Sequence, residues 1–126
     1  MDYFLFTKNV LVVLVIMLLI DGVYLSLTGA TFIKMLVAVQ KSEVRVRWIG
    51  AAICYIFMAL LFYLFAIRKN SNYIETFLLG SLSYGIYDSV NYALLSGWDG
   101  FLAIQDTLWG GTLFVITKIA YDYLSI

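Results

Sequence analysis

Residues 48–67 read WIGAAICYIFMALLFYLFAI, with Arg47 before them, Arg68 after them and no charge between. The length matches the roughly 20 apolar residues that carry an α-helix across the hydrocarbon core of a bilayer. A segment apolar on every face must be buried in protein or in lipid. The rest of the chain decides between the two. Hydrophobic residues make up 63% of it and charged residues only 13%, against about 45–50% and about 25% in an ordinary soluble domain. With a mean hydropathy of +0.95, the chain has too few polar groups to cover a surface facing water. A soluble globular enzyme and a disordered regulator are excluded, and an integral membrane protein is expected. A length of 126 residues gives a single domain, 1–126.

Outward from this segment, three more stretches have the length and apolar content of spans. They are about 9–27, 74–95 and 102–123. The expected fold class is therefore all-α, a four-transmembrane-helix bundle. The chain has no proline, so no kink is forced by that route. The turns 68–72 and 96–100 are short and polar. The stretch 31–47 is longer and mixes apolar residues with Lys34, Lys41, Arg45 and Arg47. It reads equally as a basic helix lying in the membrane interface or as a continuation of a neighbouring helix. The first apolar run follows Lys8 as in a signal peptide, but Asp21, Tyr24 and Ser26 are out of place beside a cleavage site, and the segment is read as a retained helix. Basic residues divide evenly between the two faces, so the positive-inside rule gives no orientation. Asp21-Gly-Val and Asp88-Ser-Val, with Trp48-Ile-Gly and Trp109-Gly-Gly, faintly echo a two-hairpin repeat.

Function classes narrow further. Acids and bases balance at eight each and there are no histidines. This excludes an electrostatic nucleic-acid binder and histidine-based metal or triad chemistry. The lone Cys54 forms no intramolecular disulfide. No cofactor is indicated.

The informative residues are the acids inside the apolar segments. An Asp at the centre of a membrane helix costs about 2.5–3.5 kcal/mol on insertion scales, so such residues are candidates for function. Asp21, Asp88 and Asp106 all fall within roughly 6–11 Å of the same membrane face at 1.5 Å per residue. On the third segment Gly80, Tyr84, Tyr87, Asp88 and Asn91 form one helical stripe, with Gly80 allowing close approach of another helix. On the fourth, Asp106 and Gly110 share a face, with Trp109 alongside. The second segment has no comparable stripe and is expected to face lipid or a partner. The candidate cluster is Asp21, Tyr84, Tyr87, Asp88, Asn91, Asp106 and Trp109. It binds an ion or proton, or it bridges helices, with Arg45 and Arg47 as ion-pair partners. Hard cations such as calcium or magnesium suit all-oxygen ligands. Tyr3, Tyr73, Tyr121, Tyr123, Trp48 and Trp98 fall at segment ends, where an aromatic belt is expected.

The run Gly80-x3-Tyr84-x2-Tyr87-Asp88-x2-Asn91-x5-Gly97-Trp98-x7-Asp106-x2-Trp109-Gly110, together with Asp21-x2-Tyr24-Leu25, resembles a family of small predicted four-helix membrane proteins. That family is a domain of unknown function found in bacteria and in some large DNA viruses. Its pattern often has Trp where Tyr24 stands and Pro where Asp99 stands. The resemblance implies four helices, an uncleaved first helix and one shared constellation of Asp21, Asp88, Asn91, Asp106 and Trp109. It implies no activity.

Three functions are weighed on these grounds. The first is a structural or interaction role, as a membrane assembly component of a large DNA virus, because four helices and short loops leave little surface for chemistry. Its partners are the lipid bilayer and a second copy of the chain or another membrane or capsid-type protein. The second is a small homodimeric proton- or cation-coupled carrier that uses the Asp cluster. The third is a membrane-embedded enzyme on lipid or isoprenoid, with Asp88 or Asp106 as general acid/base or divalent-cation ligand. No catalytic residue is assigned, because no nucleophile motif or Asp-x-x-Asp pair is present.

Overall fold

The close approach of two backbones sets the architecture. A computed structural model describes residues 2–124. The described chain forms four helices in the order α1 (Tyr3–Gln40), α2 (Trp48–Phe62), α3 (Tyr73–Leu94) and α4 (Gly100–Tyr123), with α2 continued by a π-helical turn over Tyr63–Ile67. The fold is all-α, a four-helix bundle. α3 and α4 are its tightest pair. A methyl group built on Gly80 would collide with the backbone of Gly110 and lie 2.6 Å from the Phe114 ring. One on Gly110 would collide with the Tyr84 ring, and one on Gly111 would lie 2.5 Å from Phe77. The two helices cross with glycine against glycine, and no other residue fits there.

Three of the four helices, α1, α3 and α4, start where a short polar side chain meets their free N–H groups. Asp2 accepts from the Leu5 N–H at 3.1 Å. Asn72 and Glu75 form a reciprocal capping box. Asp99 accepts from the N–H groups of Phe101 at 2.8 Å and Leu102 at 3.2 Å. α1 ends at Lys41, whose left-handed backbone (φ 57°) directs its N–H to the Val37 carbonyl.

The main core joins α1, α2 and α4 through Val13, Ile16 and Met17, then Ala59, Phe62 and Ala66, then Leu113 and Phe114. Phe62 and Phe114 meet edge to face at 5.4 Å. α2 thus packs inward along one side. The expectation that it faces only lipid or a partner is corrected, because small Ala59 and Ala66 let it lie against α1 without any polar stripe. A second cluster, Met35, Trp98 and Leu102, lies under the C-terminal part of α1.

The stretch 31–40 continues α1, which settles the two readings of that segment. At 1.5 Å per residue the 38-residue helix is about 57 Å long, well beyond the roughly 30 Å hydrocarbon core. Among the described residues α1 and α2 are the helices long and apolar enough to cross a membrane. α3 and α4 have 22 and 24 residues, but tyrosine, serine, glycine and acidic residues dilute them. Trp98 and Tyr121 are buried, unlike exposed Tyr3, Trp48, Tyr73 and Tyr123. Four of the six residues expected in an aromatic belt are thus exposed, and Trp98 and Tyr121 pack inside instead. The echo between the two hairpins has no structural counterpart, since Trp48 is exposed whereas Trp109 turns inward to Asp21. Gly22 on α1 has open space around it.

These facts separate two glycines. Gly110→Ala forces α3 from α4 and is expected to lower stability by about 1–3 kcal/mol, as overpacking does. Gly22→Ala meets no neighbour and is expected to raise it by about 0.5–1 kcal/mol through helix propensity. Unfolding of both variants in mild detergent, against the unmodified chain, checks the pair.

Candidate functional site

Three helices deliver an acid each to one place. Asp21 of α1, Asp88 of α3 and Asp106 of α4 line a single cavity of ≈ 220 Å³, with Tyr24, Tyr84, Tyr87 and Trp98 among its other walls. The helical register explains the meeting. Asp88 lies two turns beyond Gly80 on α3, and Asp106 one turn before Gly110 on antiparallel α4. Both project from the glycine seam toward the end of the bundle that carries the α3–α4 turn.

The three carboxyls are not in equivalent surroundings. Asp21 is 6% exposed and fully engaged. The Trp109 indole N–H donates to its Oδ1 at 2.9 Å, and the Tyr55 hydroxyl donates to its Oδ2. Trp109 is held flat against Tyr24, with centroids 4.3 Å apart and planes 5° from parallel. Gln105 Nε2 donates to the Tyr24 hydroxyl at 3.3 Å. Asp21 therefore ties α1 to both α2 and α4.

Asp88 is the opposite case. It is 1% exposed, and neither of its oxygens has a hydrogen-bond donor among the described residues. Its acidic neighbour is half-buried Asp106, which lines the same cavity. Two carboxylates cannot donate to each other, so a bond between them requires a shared proton. Burial of an unpartnered carboxylate carries a penalty far larger than a hydrogen bond is worth, and such a group takes a proton or a counter-ion instead. The Trp98 indole N–H at the wall of the same cavity is likewise without an acceptor.

The other residues of the expected cluster gather around this centre. Tyr84 lines the cavity and directs its hydroxyl to the Met58 sulfur at 3.8 Å. Tyr87 lines the cavity edge-on to Trp98, with centroids 6.0 Å apart. Asn91 stands one turn further along α3 and is not among the residues that line the cavity. Arg45 and Arg47 are exposed in the 41–47 connection. They make no ion pair with the acids, and the ion pair among the described residues joins Lys118 to Asp122 at 3.6 Å. The arginines end up outside because the continued α1 carries the connection away from the bundle. Among the described residues no group of three or more acidic, cysteine or histidine side chains comes close enough together to hold a metal ion.

Sequence reasoning missed Tyr55, Gln105 and the cavity-side role of Trp98. Tyr55 carries a signal of its own. It lies seven residues into α2, about 10 Å from the helix start, which is the depth of the acids.

The chain matches the family model described as "Predicted membrane protein (DUF2177)" over residues 6–121, and it belongs to that family. No curated protein and no solved structure matches it. The matched span contains every residue of the cavity.

The Asp21 junction makes a stability prediction. Tyr55→Phe and Trp109→Phe each strand one oxygen of a buried carboxylate and are each expected to lower stability by about 1.5–3 kcal/mol, the range for hydrogen bonds to charged groups. Because both act on one carboxylate, the double variant should depart from additivity. Unfolding free energies in detergent check this. Losses within about 0.5 kcal/mol, the range of ordinary surface changes, would show that Asp21 does not hold the helices.

Proposed function

We propose that this protein is a multi-pass membrane protein that takes up and releases a proton or small cation at the Asp88–Asp106 pair, in the manner of a small ion-coupled carrier. The observation that carries this reading is the buried Asp88 carboxyl with no donor among the described residues. A group used only to fasten helices would be satisfied as Asp21 is. An acid left without a donor beside a second acid needs a mobile positive partner, and a proton is the smallest one.

The distribution of side chains supports the multi-pass part. Leu78, Leu82, Ile86 and Val90 form an exposed apolar stripe on α3, and Ile104, Leu108, Ile116 and Ile119 form one on α4. Thr76, Ser81 and Asp88 on α3 and Thr117 and Lys118 on α4 turn inward, although Ser89 and Thr112 stay exposed. Such an inside-out pattern suits helices surrounded by lipid, even where their average apolarity is modest. Four helices hardly enclose a pathway alone, so the carrier reading takes a second copy of the chain as its partner.

A different observation favours an assembly role. α1 outruns the bilayer, and its C-terminal part leaves Leu27, Ile33 and Val37 exposed where a second membrane protein could dock. The two readings part on the acids, because docking on α1 needs neither Asp88 nor Asp106.

Infrared difference spectroscopy on protein in lipid nanodiscs tests the proposal. A carboxylic-acid carbonyl band that responds to pH is expected. It should be absent in Asp88→Asn and Asp106→Asn and retained in Asp21→Asn. In proteoliposomes, acid-driven flux should fall to the protein-free background in the same two variants. A wild type with no titrating band and no acid-dependent flux would overturn the carrier reading.

A further inference from the structure

Asp88 borders a second cavity. On the outer side of the α3–α4 pair a groove of ≈ 450 Å³ is lined by Gly85, Asp88, Tyr92, Ala103, Ile104 and Leu108, with Ser89, Gly100 and Thr107 completing it. That volume falls within the roughly 300–1,000 Å³ of small-molecule sites. Tyr92, Ile104 and Leu108 are exposed on its rim, so the groove opens sideways on the face that carries the apolar stripes. Asp88 also lines the inner cavity shared with Asp21 and Asp106. One fully buried, unpartnered carboxyl thus forms part of the wall between an apolar groove and a polar chamber.

We propose that this groove is the lateral opening of a binding site for a long-chain primary amine. The ammonium pairs with Asp88, the acid in the groove wall, and the alkyl chain lies along Ala103, Ile104 and Leu108. The proposal rests on the reading of the Asp88–Asp106 pair as a cation-exchanging site and adds the chemical class of the ligand.

Charge complementarity selects the head group. Among the described residues no basic side chain forms an ion pair with Asp88 or Asp106, and buried Lys118 is paired with Asp122 three helical turns further along α4. A phosphate-bearing head would be repelled by the acids, and a neutral alcohol would leave their charge unanswered. A primary ammonium brings three N–H donors to carboxyl oxygens that have none. The groove selects the tail. A bare metal ion would have to shed its water along an apolar wall, and no three-ligand metal set exists among the described residues. An amine with an alkyl chain brings its own apolar surface. The glycines keep the groove and the acid close together. A methyl group on Gly85 would stand 3.2 Å from Thr107, and one on Gly100 would stand 3.3 Å from the Tyr92 ring.

Native mass spectrometry of the full chain in a neutral detergent, with dodecylamine as probe, tests the assignment. Saturable binding of one dodecylamine per chain is expected. Dodecanol, which has the tail without the charge, and butylamine, which has the charge without the tail, should both bind far more weakly. Asp88→Asn should weaken dodecylamine binding by about 10- to 100-fold, the equivalent of one charge-assisted hydrogen bond. Ile104→Trp fills the groove from an exposed position and should weaken it comparably, with its unfolding midpoint in detergent confirming that the variant is folded. Equal binding of dodecanol, equal binding of butylamine, or full binding by a folded Ile104→Trp would each overturn the proposal. If dodecylamine fails to bind while the carboxylic-acid band still titrates, the groove assignment fails and the exchange reading stands. If both fail, the pair is no cation site.

Discussion

Glycine against glycine at the α3–α4 crossing is the constraint on which the rest of the molecule depends. In lipid there is no hydrophobic force to push helices together, so association comes from close packing and from hydrogen bonds between helices. Gly80, Gly110 and Gly111 leave no room for a methyl group, and this sets both the distance and the register of the two helices. Register then decides chemistry. Asp88 and Asp106 lie on the stripes that run from those glycines, so the packing that closes the hairpin also brings two acids face to face. Neither the cavity nor the outer groove survives a change in that spacing.

The remaining two helices are fastened to the hairpin by other means. α1 and α2 meet α4 through apolar side chains, with Phe62 against Phe114 as the central contact. Asp21 adds a polar knot in which one carboxylate draws donors from two other helices. A buried carboxylate with both oxygens satisfied is a fixed structural part, because removing either donor exposes the cost of its burial. The knot also positions the cavity wall, since Trp109 stacks on Tyr24 and Tyr24 lines the cavity.

Much of this was legible in the residues alone. The charge-free run of 48–67 and the compositional excess of apolar residues gave the fold class. The i, i+4, i+8 spacing of Gly80, Tyr84 and Asp88 gave the inward face of α3. The stripe search failed on α2, because Tyr55 is a single polar residue and a lone hydroxyl makes no stripe. It bonds to Asp21 because the two sit at one depth, which is a relation between helices and not a pattern within one. The extent of α1 was open for a similar reason. Residues 31–40 have a helix-compatible composition, and only the packing of Met35 on Trp98 and Leu102 decides that they continue the helix. Arg45 and Arg47 looked like counter-charges because they follow α1 in sequence, yet a continued α1 takes them away from the acids.

The acids that looked like one cluster are therefore two devices. Helix bridging and ion binding were competing explanations for the whole set, and the hydrogen bonding of its members differs: Asp21 is bonded to two other helices, Asp88 to none. Asp21 has two donors and no need of a mobile partner. Asp88 has none and, among the described residues, no cation to neutralise it. The desolvation penalty of a buried charge is met at the first by fixed dipoles, and at the second it calls for a proton or another positive partner. An unpartnered acid inside a bundle this small needs a rigid frame around it, and Asp21, which joins α1 to α2 and α4, is placed to supply that frame beside Asp88.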